Sequence, residues 1–170
     1  MKLLIDGYNV IPAIPELGRK LRSDLEEGRD AFLSLLGEYK RASSAPLDIT
    51  VIFDGKRNPG GDTAMRIHGI GVRFSRNEIA DDLILRLLKN EMWGATLVTS
   101  DRGLRDAAEP MAGALVRSGE FADRLLLAME EGGGEGETAE RPTRHSTKKK
   151  GNPRRLSKKE RVRQRSLKKL

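Results

Sequence analysis

The sequence predicts an α/β domain with a mostly parallel central sheet, followed by a basic tail. Three observations predict it. Short apolar runs alternate with amphipathic stretches, the pattern of a parallel sheet covered by helices on both faces. All seven aromatic residues (Tyr8, Phe32, Tyr39, Phe53, Phe74, Trp93 and Phe121) precede Glu131. The charge divides at the same place. Residues 1–130 hold 18 Lys and Arg against 20 Asp and Glu, a net of −2, whereas residues 131–170 hold 14 against 5, a net of +9. The domain organisation read from this is a folded unit over 1–130 and a flexible linker with a basic tail over 131–170.

The elements follow in order. Residues 2–6 form a short apolar run ending in Asp-Gly, read as a buried strand. Asn9, Pro12 and Pro15 then predict a loop. Leu21, Leu25, Phe32, Leu35, Leu36 and Tyr39 fall at helical spacing, which predicts one helix over 19–41 despite Gly28 inside it. Residues 48–54 are β-branched and apolar between Pro46 and Gly55, a second buried strand. A basic, glycine-rich loop covers 55–63. Ile70, Val72 and Phe74 alternate in 64–75, which predicts a third strand at the sheet's edge. Asn77 is placed to cap a helix over 78–92. Residues 95–99 predict a fourth strand, 103–111 a short helix, 113–116 a fifth strand and 121–129 a closing helix.

Composition excludes several classes. There is no Cys, hence no disulfide and no Cys-based zinc or iron–sulfur site, which fits a cytoplasmic protein. No apolar run approaches the roughly 20 residues that span a bilayer. Asp6 interrupts the opening run before it reaches the length of a signal segment. No Walker-type loop is present, so no nucleotide cofactor is expected.

Ligands of open α/β sheets sit beyond the carboxyl ends of the strands, and here those ends are acidic. Asp6 ends the first strand, Asp54 the second, and Asp101 follows the fourth. Asp81 and Asp82 open the helix after the third. Any one of these serves equally well as a helix cap or turn former. Several together at one edge would repel one another unless a cation sits among them. Oxygen-only donors, with His68 and His145 far apart in the chain, point to Mg²⁺ or Mn²⁺.

At this point the residues resemble a known family. Leu4-Ile5-Asp6-Gly7-Tyr8-Asn9-Val10-Ile11 is similar to the opening motif of the NYN domains, which are PIN-like ribonucleases. Val51-Ile52-Phe53-Asp54-Gly55, Val72-Arg73-Phe74-Ser75, Glu78-Ile79-Ala80-Asp81-Asp82, Val98-Thr99-Ser100-Asp101-Arg102 and Ser118-Gly119-Glu120-Phe121 narrow the resemblance to the YacP-like branch. It covers residues 1–129, with the tail outside it. The resemblance implies a three-layer PIN-like α/β/α sandwich and a metal-dependent endoribonuclease. It implies Asp6, Asp81 and Asp101 as catalytic metal ligands, and Asn9 as the polar member of the site. Asp82 doubles the helix carboxylate, so the choice between Asp81 and Asp82 as ligand stays open. The branch also implies ribosome-linked cleavage of messenger RNA, so the expected partners are RNA and the ribosome.

Metal-bound hydroxide attacking in line would leave a 5′-phosphate and a 3′-hydroxyl without a protein nucleophile. Gly7 would let the backbone approach substrate. Asn9 would orient a water or phosphate oxygen, or form an Asx turn. Ser100 would support the site, or cap the next helix. Lys56, Arg57, Arg76 and Arg102 are the expected RNA contacts, with Arg73 and Arg105 read as solvated charge. Tyr8 is the candidate for base stacking. In the tail, Leu156, Leu167 and Leu170 share one face of a basic helix that would form on an anionic surface, RNA rather than membrane. Without a partner the tail is expected to be disordered. The competing function is a non-catalytic RNA- or ribosome-binding protein on a nuclease fold.

Overall fold

The computed structural model describes residues 1–55, 64–75 and 78–132. Six strands, β1 (Lys2–Asp6), β2 (Asp48–Asp54), β3 (Met65–Ile67), β4 (Ile70–Ser75), β5 (Thr96–Val98) and β6 (Ala114–Val116), form one sheet in the order β3-β4-β2-β1-β5-β6. Among the described residues only the β3–β4 pair is antiparallel. The helices are α1 (Gly7–Val10), α2 (Pro15–Ser23), α3 (Leu25–Ala42), α4 (Ala80–Asn90), α5 (Arg102–Ala108) and α6 (Ser118–Gly132), with a 3-10 turn at Ile11–Ala13.

Each inner strand is apolar on both sides because each side meets helices. Leu3, Ile5, Val51, Phe53, Val72 and Val98 face a core with Phe32, Leu33 and Leu36 of α3 and Phe121 and Leu125 of α6. Leu4, Ile52 and Leu97 face a second core with Leu83, Ile84, Leu87 and Leu88 of α4 and Leu104 and Ala108 of α5. This is the expected three-layer sandwich. From β1 the chain passes through α1–α3 on one face to β2. It returns from β4 through α4 on the other face to β5, on the far side of β1. The strand order therefore reverses between β1 and β5, and a crevice opens at their carboxyl ends.

Several elements differ from the sequence reading. The long helix is two, α2 and α3, because Asp24 takes an extended conformation and its carboxylate accepts the Glu26 and Glu27 N–H groups at 2.7 and 3.0 Å. Gly28 has a packing reason: a Cβ there would lie 2.5 Å from Leu21 Cα, so only glycine lets α2 and α3 meet this closely. The stretch after β1 is helical at once rather than a loop. Residues 64–75 form a hairpin, with β3 at the edge and β4 inside the sheet. His68 and Gly69 turn it at φ 51° and 78°, the positive values of a tight hairpin turn. The helix over 78–92 starts only at Ala80, with Ile79 rather than Asn77 in the N-cap position. Asn77 itself lies outside the described residues, as do Lys56, Arg57, Arg76 and the tail beyond residue 132.

Candidate active site

The carboxylates converge at the crevice. Asp6 leaves β1 and Asp101 follows β5, its neighbour in the sheet. Asp81, in the first turn of α4, reaches the same edge from above one face. Burial pushes the Asp6 carboxyl up from the ordinary 3.8 to about 6, and the charges of Asp81 and Asp101 push the same way. The Thr99 hydroxyl opposes them by donating to Asp6 Oδ2 at 3.1 Å. The Asn9 N–H, close by but outside hydrogen-bond geometry, also draws the value down. The Asp81 carboxyl is raised as well, first by burial, then by Asp101 and Asp82. Asp6 and Asp81 are half-buried, whereas Asp82, one residue further round α4, is exposed. Asp54 ends β2 two residues beyond the level of Asp6, since Asp6 pairs with Ile52.

A hydrogen-bonded frame holds this edge. The Thr99 hydroxyl, fully buried, also accepts the Asp101 N–H at 3.1 Å, so one side chain sets the positions of two acids. Asp101 Oδ1 accepts the Leu104 N–H at 2.7 Å and caps α5. That cap was one of the roles open to Ser100. Ser100 instead spans to the next strand end: its Oγ accepts the Ser118 N–H at 3.0 Å. The Asn9 amide oxygen accepts the Ser100 N–H at 2.8 Å and the Ser118 hydroxyl at 2.6 Å. It forms no Asx turn but ties α1 to the ends of β5 and β6.

Two other expected roles change, those of Gly7 and Tyr8, while Arg73 remains a surface charge. A Cβ on Gly7 would run into the Phe53 ring, so this glycine makes room for the core and not for substrate. The Tyr8 ring stands edge-on to Phe53, with centroids 5.1 Å apart, and is committed to packing rather than to bases. Arg73 lies away from the crevice and pairs with Glu91 through two bonds of 3.3 and 2.7 Å. His68 and Trp93 sit at the opposite end of the sheet, before β4 and β5. Thr99, Arg117 and Ser118 were given no role by the sequence reading. A polar residue closing the apolar run of β5 was the available signal for Thr99, and the Ser-Gly-Glu-Phe segment for Ser118.

As placed, no three His, Asp or Glu side chains among the described residues enclose one point. The site is therefore not an all-protein cage. Mg²⁺ does not require one, because it keeps several waters and uses one or two carboxylates together with substrate phosphate. The donor set fits such an ion: oxygen only, with two carboxyls whose negative forms are disfavoured until a positive charge arrives.

A three-layer α/β/α sandwich with acids gathered at the β1/β5 switch defines a PIN-like nuclease fold. The chain belongs to the YacP-like NYN domain family, whose model matches residues 3–169. The match thus runs through the basic segment, which the sequence reading had placed outside the resemblance. The chain is 34% identical over 103 residues to YacP of Bacillus subtilis (strain 168), covering 58% of this chain and 59% of that relative. The crystal structure of Rae1 (YacP) from Bacillus subtilis aligns with a TM-score of 0.62 at 26% identity, over 77% of this chain and 76% of that one. A single-substitution mutant of the same protein gives 0.61 at 27%, over 76% and 77%. Among the described residues no helix is long and apolar enough to cross a membrane.

Proposed function

We propose that this protein is a metal-dependent endoribonuclease that hydrolyses RNA phosphodiester bonds in the cytoplasm, with messenger RNA at the ribosome as its substrate. The observation that carries the reading is that the Thr99 hydroxyl binds both the Asp6 carboxylate and the Asp101 N–H, with half-buried Asp81 at the same edge, so acids from separate elements meet at the switch point of a fold of this family.

Asp6, Asp81 and Asp101 would hold Mg²⁺ or Mn²⁺ together with water and substrate phosphate, with Asp82 on the rim. The ion, when bound, supplies Lewis-acid charge and a water acidic enough to act as hydroxide near neutral pH. The chain's own residues do the rest. Thr99 fixes the Asp6 carboxylate and the Asp101 backbone in one geometry. Asn9, Ser100 and Ser118 lock the loops on which those acids stand. Water adds to phosphorus, the bond to the 3′ oxygen breaks, and that oxygen takes a proton, which leaves a 5′-phosphate and a 3′-hydroxyl. Arg102, beside Asp101, is a contact for the RNA backbone, as are Lys56, Arg57 and Arg76.

The test is cleavage of RNA with Mg²⁺ or Mn²⁺ by the parent, Asp6→Asn and Asp101→Asn proteins, with DNA alongside and RNA ends mapped with and without ribosomes. The parent is expected to cut RNA and both variants to fall to background. A parent that binds RNA but cuts nothing under any divalent ion would leave the binding-protein reading standing instead.

A further inference from the structure

Next to the acids the surface turns basic. A cavity of about 520 Å³ is lined by Ser100, Arg102, Arg105, Asp106 and Arg117. Its construction follows from the sheet. β5 and β6 are parallel with Val98 level with Val116, so Ser100 and Ser118 leave the sheet side by side. The Ser118 N–H to Ser100 Oγ bond holds the two strand ends together. Arg117 then stands at one wall. Arg102 and Arg105, one turn apart on α5, stand at the other. Three arginines and one aspartate are among its lining residues. Asp106 engages Arg102 only loosely, at 3.9 Å, with the two side chains 74% and 95% exposed, and such a pair holds little energy.

The position matters as much as the charge. Ser100 is in the wall, and the next residue is Asp101. The arginine-lined cavity therefore adjoins Asp101 across a single peptide unit. Guanidinium groups suit phosphate, since their planar donors bind two oxygens at once. Its volume lies within the range of small-ligand sites, and it opens to solvent, with Ser100, Arg102, Asp106 and Arg117 exposed.

We propose that this cavity is a phosphate subsite: it holds an RNA phosphate flanking the scissile one while the acids hold the metal. The proposal rests on the nuclease reading above and adds to it. A substrate needs at least one phosphate beyond the bond that breaks, and Arg102 and Arg117 set which bond lies over Asp6.

Binding without cleavage tests it. A labelled single-stranded RNA of six nucleotides is titrated with the full chain in EDTA, by fluorescence anisotropy at several salt concentrations. The partners are Arg102→Gln/Arg117→Gln and Arg117→Gln alone, each checked by a thermal melt, the single variant serving if the double does not fold. A neutral methylphosphonate replaces one linkage at a time. One position should weaken the parent several-fold and leave the double variant unaffected, because their shared partner is already gone. The tail contributes equally to both proteins and cancels. The double variant's salt slope should also be shallower, by about 0.7 per lost single-strand contact. A mononucleotide 5′-phosphate should compete with the parent more than with the variant. Equal losses in parent and variant at every linkage, or an unchanged salt slope, overturn the subsite. Coupling in a chain that cuts nothing would keep the subsite and remove the nuclease reading. Cleavage without coupling would do the reverse.

Discussion

The Asn9 amide oxygen accepts a hydrogen bond from the Ser118 hydroxyl at 2.6 Å, across 109 positions of sequence. The same oxygen takes the Ser100 N–H. One side chain thus anchors the ends of two neighbouring strands just where the acids emerge.

Asn9→Ala leaves both donors without that acceptor. A lost partner of this kind costs about 1–3 kcal/mol. The expected outcome is a lower melting temperature together with reduced RNA cleavage. Ser118→Ala removes only one donor and should cost less. Equal melts for Asn9→Ala and the parent would show that the frame does not depend on this contact.

Asp6 sets a pH dependence whose sign is fixed. Its carboxyl titrates at about 6 in the folded protein and near 3.8 when unfolded. The folded state therefore holds the extra proton between these values, and stability falls as pH rises from about 4 through 6. The loss is on the order of 1–3 kcal/mol. Asp6→Asn should melt higher than the parent at pH 7 and no higher at pH 4, while cleaving nothing. Mg²⁺ should raise the parent's melting temperature at pH 7.5 more than at pH 5, and raise that of Asp6→Asn less.

Thr99→Val keeps the shape of a buried side chain and deletes the hydroxyl between Asp6 and Asp101. That hydroxyl lowers the Asp6 value, so its loss should move the acid limb of kcat/KM, at subsaturating Mg²⁺, to higher pH. A supporting group of this kind is worth roughly 10–100-fold in activity or metal affinity. An unmoved limb would show that Thr99 does not tune Asp6.

Asp81 and Asp82 should part company. Asp81→Asn is expected to abolish cleavage, because Asp81 is half-buried and acts on Asp6. Asp82→Asn should stay within a few-fold of the parent, since Asp82 is exposed and is not among the groups acting on Asp6. Side-by-side RNA digestion ranks them, and the reverse order would move the ligand set one residue along α4.

Gly7→Ala places a methyl group against the Phe53 ring, which is itself packed on Phe74 at 5.7 Å and on Tyr8. Overpacking of this kind costs about 1–3 kcal/mol. Urea unfolding should show a lower midpoint, and an unchanged midpoint would mean the core yields more readily than its contacts suggest.

Much of this was legible in the residues. Strands such as Asp48–Asp54 are apolar on both sides because both sides are buried, and that pattern is local. The acids at the strand ends were legible for the same reason: a strand end is marked by the change from apolar to polar. What local pattern could not show was pairing. The split of α2 from α3 depends on Asp24 taking an extended conformation, which the helical spacing across it conceals. The roles of Asn9, Thr99 and Ser118 depend on partners up to 109 residues away, brought together by the sheet's register.

The sequence by itself determined the α/β class, the order of the elements and the set of acids, since each is written in the alternation of apolar and polar residues along one stretch of chain. Only the tertiary structure decided which acids act on one another, that Asp81 is half-buried where Asp82 is exposed, and that arginines after β5 and before α6 share one cavity. Those facts follow from strand order and helix rotation, and distances across a sheet are set by packing rather than by separation in sequence.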